Sequence, residues 1–466
     1  MNSVLFWNSV LLEASRRDFS RGYVNNQQPG PIRTSRAMAI VHLAIHDAVA
    51  FRNNPAAAYL TKKNVMPPIP NLTGPVDDII AGAAVTTLKA LYPHPTYRAI
   101  FDDALGSVNT AAFDGGVLVG EAMLKHRESD GSATMVTGPQ PTAPVYGQHR
   151  ADPYAPGQAQ LGPVWGDVKR FTGTAHQPLD RFPGHGLPDY LADPDFRADF
   201  EEVREHGSVA RRQRTAKQER RGVYWGYDGA NNLGVPPRLY NQIAREVVRN
   251  RGLSLPRLAE LFAVVNVAMA DAGIDCWHHK YINRVAPSLV DLWRPVVGIR
   301  NGADPDGDPF WAPLGMPQTN AARGTLTPPF PAYPSGHATF GAALMQALRL
   351  GLKTAPAITL QDVLNVETGA SPPVAAESFT FVSDELDGVC SDPDGSIRTR
   401  VPIPFNNFVE PVWENSVSRV YLGVHWRFDG IPRNASKNVG GVPLGLAIGQ
   451  EAHALFNTAP SLGGTA

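Results

Sequence analysis

The chain has 466 residues with 42 Lys and Arg against 43 Asp and Glu, a net charge of −1, so no general basic footprint invites nucleic acid or an anionic membrane. It is long enough to bury a large core, and its two cysteines, Cys276 and Cys390, are too few for a disulfide framework. No apolar run reaches the roughly 18 residues of a membrane span and no basic, then apolar leader opens the chain, which predicts a soluble protein without a conventional signal peptide, cytoplasmic or exported by a non-classical route.

Residues 4–16 and 35–52 read as amphipathic helices, the second opening at Ser35. His42 and His46 stand one turn apart on it, ahead of Asp47; the spacing suits zinc, but with no third ligand in view the pair reads as core histidines. Helical patterns follow at 75–91, 96–108 and 111–128, joined by short Pro- and Gly-marked connections, which is bundle behaviour. From 132 to 190 the pattern dissolves into a Pro-, Gly- and aromatic-rich tract, expected to lie against the second half of the chain and wall a pocket. Helical signals return at 194–206, 214–225 and 236–250, with Asp228 in a loop before Gly229. Residues 256–280 carry the strongest helical pattern, opening at Pro256 and ending at Lys280. The Asp304-Pro-Asp306-Gly-Asp308 run mimics a calcium loop but lacks the closing glutamate and reads as a solvated turn. Further helices are expected from Pro334 to about Leu352, over 408–424 and over 444–457. Strand signals such as 378–383 are few and short, so the fold is predicted to be all-α.

Three clusters carry chemistry. In Pro331-Ala332-Tyr333-Pro334-Ser335-Gly336-His337, Ser335 is a good N-cap residue, Gly336 lets a ligand approach the backbone, and His337 can move a proton beside a bound anion. Trp277-His278-His279-Lys280 followed by Trp293-Arg294-Pro295, and Ser418-Arg419 followed by His425-Trp426-Arg427-Phe428-Asp429, add the positive charge that a tetrahedral oxyanion needs. Phosphate is the default anion for such a set.

In this order the clusters resemble the vanadium-dependent haloperoxidases, which share a scaffold with the type 2 phosphatidic acid phosphatases. The likeness to the fungal chloroperoxidases runs through Pro328-Pro329-Phe330 to Gly341, Leu422 to Asp429 and Gly440 to Gly445, and more loosely through Phe6-Trp7-Asn8 and residues 37–43. The resemblance implies two helix bundles with long Pro/Gly-rich loops, an N-terminal one over 1–210 that includes the loop 132–190, and a C-terminal one over 211–466 that carries the site. It implies vanadate as cofactor, with hydrogen peroxide, halide and an organic substrate as small-molecule partners. His425 would bind vanadium, Asp429 would fix the tautomer of that ring, and Lys280, Arg294, Ser335, Gly336 and Arg419 would hold the oxyanion. His337 would take a proton from peroxide, Lys280 would polarise the bound oxygen, and Asp228 would be the counter-ion of a site arginine. Trp277 and Phe330 would line the halide side.

One departure stands out: thirteen residues separate Lys280 from Arg294, more than in the family pattern. Pro287 argues against a straight helical continuation, so 281–291 is expected to bulge or kink and return Arg294 to the site, with Arg284, one turn after Lys280, as the alternative. A second reading of the pocket is a soluble acid phosphatase with His425 as nucleophile and His337 as general acid.

Overall fold

The computed structural model describes residues 2–20, 26–65, 72–134, 136–142, 144–181, 194–210, 213–301, 307–317 and 327–457. The end of the 132–190 tract and most of the Asp304–Asp308 run lie outside them. The N-terminal half is helical: α1 (Ser3–Asp18), α2 (Gly30–Asn53), α3 (Tyr59–Lys62), α4 (Val76–Leu91), α5 (Pro95–Leu105) and α6 (Thr110–Arg127). Local chemistry sets their starts, since the side chains of Asn2, His94 and Asn109 accept first-turn amides of α1, α5 and α6. Helix α2 begins at Gly30-Pro31, five residues before the expected Ser35, because proline at the first turn costs no hydrogen bond and Ile32 and Thr34 are already buried.

His42 and His46 on α2 are core residues. Asn8 donates to Nε2 of His42, and His46 pairs with Asp47, whose carboxylate also accepts the amides of Tyr59 and Leu60. No group of metal-ligating side chains occurs among the described residues.

The tract after α6 holds one short antiparallel pair, β1 (Thr137–Gly138) with β2 (Gln160–Leu161). Its later part is clipped along a long helix of the second half. Asp271 accepts the Phe171 and Thr172 amides and the Thr172 hydroxyl; Asp275 accepts the Gln177 amide and pairs with His176. Trp277 Nε1 and Tyr281 Oη both donate to the Leu161 carbonyl. The stretch 171–177, outside any regular element, thus satisfies part of its backbone through carboxylates of its neighbour.

The second half contains α7 (Pro194–His206), α8 (Ala216–Tyr224), α9 (Pro236–Val248), α10 (Leu255–Lys280), α11 (Pro295–Arg300), α12 (Gly336–Leu352) and α13 (Leu360–Glu367). A hairpin of β3 (Phe379–Val382) and β4 (Pro402–Phe405) follows, then α14 (Val409–Tyr421), α15 (Arg427–Gly430) and α16 (Gly441–Asn457). Helix α10 packs on α2, α12 and α16, and a continuous hydrophobic cluster reaches from Val4 to Phe456. Buried amides cross it as an Asn8–Asn241–Asn266 chain. Helices α12 and α16 touch backbone to backbone: a Cβ on Gly445 would stand 2.3 Å from the Thr339 carbonyl oxygen, and one on Gly441 2.5 Å from that of Ser335. That contact holds the start of α12 in place, and the start of α12 is where the chemistry lies. No helix among the described residues is long and apolar enough to cross a membrane.

Candidate active site

The C-terminus of α10, the N-termini of α11 and α12, and the turn after α14 meet at one end of a cavity of about 330 Å³. Asp228, Gly336, His337 and His425 line that end, with Trp277 and Phe330 beside them. Ser335 is the N-cap of α12; its Oγ accepts the Ala338 amide at 3.5 Å, and its own amide donates to the Asp429 carbonyl at 2.7 Å. The helix start is therefore tied to the loop that carries His425.

His425 is held from both sides. Arg294 Nη1 donates to its Nε2 at 2.9 Å, so Nε2 is the acceptor and Nδ1 carries the proton, which it gives to Asp429 Oδ2 at 2.8 Å. The same carboxylate oxygen accepts the Trp426 amide, and Oδ1 has no partner among the described residues. Burial and the facing cations push the His425 pKa well below its usual value, which keeps an imidazole lone pair at Nε2. Burial also raises Asp429 to about 8, against the pull of Lys280 and Arg294.

The cations are almost fully enclosed. Arg294 is 1% exposed and donates through Nε to the Phe330 carbonyl and through Nη1 to that of Val424, leaving Nη2 without a partner among the described residues. Arg419, wholly buried on α14, donates Nη2 to Asp228 Oδ1 at 2.7 Å, while its Nε and Nη1 have no partner among the described residues. Buried guanidinium protons left without acceptors are costly, and three such nitrogens on two arginines beside one cavity describe an acceptor-rich guest. Lys280 is placed differently from a simple anion clamp. Its ammonium donates to the carbonyls of Pro331, Ala332 and Pro334 and lies 5.0 Å from the Phe330 ring centroid, so it holds the loop into α12 and lends the cavity its charge. Burial lowers its pKa to about 7, and Arg294 to about 9.

His337 donates Nε2 to the Gly226 carbonyl at 2.7 Å, which leaves Nδ1 as the unprotonated nitrogen. Burial first, and the nearby Arg419 second, lower its pKa to about 3. Its backbone carbonyl accepts from Tyr240 Oη and Asn415 Nδ2, two supports that no sequence pattern announces because they come from α9 and α14. Gly226 itself sits in a loop held by Glu385, which accepts the Tyr227 amide. The Trp277 and Phe330 rings pack together with centroids 4.7 Å apart.

The thirteen residues between Lys280 and Arg294 do leave the helix axis. A 3-10 turn over Ile282–Arg284 and a loop to Asp291 lead into Trp293, whose amide donates to the Gly147 carbonyl before α11 begins. Arg294 is thereby the N-cap of α11 and enters the site, whereas Arg284 points to the surface and pairs with Asp167 at 2.7 Å. The loop expected to wall the pocket does so through Gln158, Ala159 and Leu161. A lone glutamine such as Gln158 in a Pro/Gly-rich tract carries no sequence signal.

The residues fit a tetrahedral oxyanion: unsatisfied arginine donors, a helix N-terminus and a neutral imidazole lone pair converge on one end of a cavity. Residues 1–111 match the vanadium chloroperoxidase N-terminal domain and residues 260–459 the VCPO second helical-bundle domain. The vanadium chloroperoxidase of Curvularia inaequalis is 31% identical, over 92% of this chain and 79% of its own length. Among solved structures, the first bacterial vanadium-dependent iodoperoxidase superposes with a TM-score of 0.70 at 18% identity, covering 98% of both chains. A holo-type bacterial vanadium-dependent chloroperoxidase superposes with a TM-score of 0.61 at 15% identity, covering 93% of this chain and 94% of its own. The two superpositions speak for the fold, and the sequence match over nearly the whole chain speaks for descent: the chain belongs to the family of vanadium-dependent haloperoxidases.

Proposed function

We propose that this protein binds vanadate and uses hydrogen peroxide to oxidise halide to a hypohalous species, bromide readily and chloride as the more demanding substrate. The observation that carries the reading is the set of buried, unpartnered donors on Arg294 and Arg419 beside His425 Nε2. Bound vanadate would supply an electrophilic centre that activates peroxide toward halide. His425 would be its ligand through Nε2, with Asp429 keeping the proton on Nδ1. Arg294 and Arg419 would donate to its oxygens, joined by the Ser335 hydroxyl and the Gly336 amide at the start of α12. Lys280 would add positive charge through the loop it anchors.

His337 would accept a proton from hydrogen peroxide at Nδ1, since its depressed pKa keeps the ring neutral and the Gly226 carbonyl occupies Nε2. Trp277 and Phe330 would keep the halide approach dry, where charge interactions are less screened. The test is monochlorodimedone halogenation at acidic pH with orthovanadate, peroxide and each halide in turn, beside hydrolysis of p-nitrophenyl phosphate by the apoprotein. Bromide turnover that requires vanadate is expected. Phosphate-ester hydrolysis without any halide oxidation would instead assign the pocket to an acid phosphatase.

A further inference from the structure

The loop 225–228, between α8 and α9, contains a residue in a strained conformation. Tyr227 has φ +50°, in the left-handed region that residues with a Cβ rarely occupy. It is pinned at both ends. Its hydroxyl donates to Gln242 Oε1 and accepts the Asp384 amide, both at 2.9 Å, and its own amide donates to Glu385 Oε1 at 2.9 Å. Strained backbone persists only where its surroundings over-determine it, and it gathers at functional sites.

Glu385 lies in the 3-10 turn Asp384–Leu386 and is wholly buried. Its Oε2 accepts Arg398 Nη1 at 2.6 Å. A buried ion pair adds little stability once both charges have been taken out of water, so the pair alone does not account for the carboxylate. Its other oxygen does. The peptide between Gly226 and Tyr227 gives its N–H to Glu385 at 2.9 Å and its carbonyl to His337 Nε2 at 2.7 Å. This peptide is trans, and in a trans peptide those two groups point opposite ways, so gripping one aims the other. The fit is close, since a Cβ on Gly226 would stand 2.7 Å from Glu385 Oε1.

We infer that Glu385 is a positioning residue for His337: by holding the N–H of this peptide it keeps the Gly226 carbonyl on Nε2, and so keeps Nδ1 unprotonated. The inference rests on the proposed role of His337 as proton acceptor. Without that carbonyl a neutral imidazole can carry its proton on either nitrogen, and the tautomer with the proton on Nδ1 cannot accept one there. The Gly226 contact also works against the burial that lowers the His337 pKa, so its loss takes the ring further from the range of a base.

Glu385→Gln keeps the shape of the side chain but meets two donors, Tyr227 N–H and Arg398, with one oxygen, and the charged donor takes it. Arg398→Met breaks the same ion pair and leaves the carboxyl oxygen on the Tyr227 amide, which makes it the control for lost stability. The tautomer is read by nitrogen NMR of the full-length apoprotein carrying isotope-labelled histidine at neutral pH, with the His337 signals assigned by their loss in His337→Gln. Wild type and Arg398→Met are expected to hold the proton on Nε2 alone, and Glu385→Gln to show signals averaged between the two tautomers. With vanadate bound, Glu385→Gln should also lower kcat for bromide roughly tenfold or more, with KM for bromide held, and Arg398→Met should keep both. Gly226→Ala pushes the same peptide off Oε1 with the ion pair intact; it is expected to show the averaged signals and carries the test if Glu385→Gln does not fold. An unmoved tautomer in Glu385→Gln, or in Gly226→Ala where that variant stands in for it, overturns the inference. So does an equal change in Arg398→Met, which would make Glu385 a purely structural part. Halide oxidation with an unmoved tautomer sinks this inference alone; the expected tautomer change in a protein without halide oxidation leaves Glu385 assigned and sinks the catalytic reading.

Discussion

His425 and His337 are both buried imidazoles with lowered pKa values, yet their hydrogen bonds separate them. His425 has its proton fixed on Nδ1 by Asp429 and its lone pair turned to Arg294; His337 has its proton fixed on Nε2 by the Gly226 carbonyl. On the proposed function the first would ligate and the second would exchange a proton. His425→Ala is therefore expected to abolish orthovanadate binding in isothermal titration, since only electrostatic contacts would remain. His337→Ala should keep the affinity and lower bromide oxidation by roughly 10²–10⁴, the usual weight of a general acid–base; near-normal turnover would exclude the role. Between the two arginines that the sequence leaves open, Arg294→Ala should weaken vanadate binding at least tenfold by removing an enclosed donor. Arg284→Ala should leave it unchanged, because that side chain is spent on Asp167 at the surface. That these residues converge was legible because the set proposed to bind the anion lies in short, dense clusters. Tyr240, Asn415 and Gly226 were not, because each reaches His337 through a contact delivered from a distant segment.

At the scale of elements, the helices with a clear apolar period came out close to expectation, as with Pro194–His206, Gly336–Leu352 and Leu255–Lys280. Others escaped. Helix α13 buries only Val363 and α11 is six residues long, so neither leaves a periodic trace, while α2 is buried nearly all round and its start is set by proline rather than by pattern. The path from Lys280 to Arg294 was readable as a departure from the helix through Pro287, but its return depended on the Trp293 amide meeting Gly147, a contact no local pattern encodes. The α12–α16 contact was invisible for the same reason, although the sequence carries Gly441, Gly445 and Gly449 one turn apart. Gly445→Ala is expected to cost about 2 kcal/mol by forcing the helices apart, read as a lowered urea midpoint. It should also weaken vanadate binding, because α12 carries Ser335 and His337 on its first turn. A stable variant with unchanged affinity would show that α12 is positioned by other contacts.

Taken whole, the molecule is nearly neutral, yet it encloses Lys280, Arg294 and Arg419 with Asp228 paired to Arg419, while burial raises the pKa of the nearby Asp429 to about 8 and so weakens it as a counter-charge at neutral pH. Burying like charges this way costs stability, and the lowered pKa values of Lys280 and Arg294 express that cost. An anion that fills the site relieves it, so binding and stability are linked. Orthovanadate at about a hundred times its dissociation constant contributes about 2.7 kcal/mol, a rise of roughly 3 °C in Tm at ~2 cal/mol/K per residue for a chain of this size. The pH dependence has a definite sign. In the folded apoprotein Lys280 loses its proton near 7, while in the unfolded chain it holds it to about 10. Between those values the unfolded state binds more protons, so this group makes the apoprotein more stable as pH rises, and below 7 its full charge is carried at a cost. Bound anion favours the ammonium and raises its pKa, which removes that slope. The thermal shift from vanadate is therefore expected to be largest at or below pH 7 and to shrink by pH 9, measured by calorimetry at constant ionic strength. A shift that grows with pH would mean that Lys280 contributes no charge to the site and serves only to anchor the loop before α12.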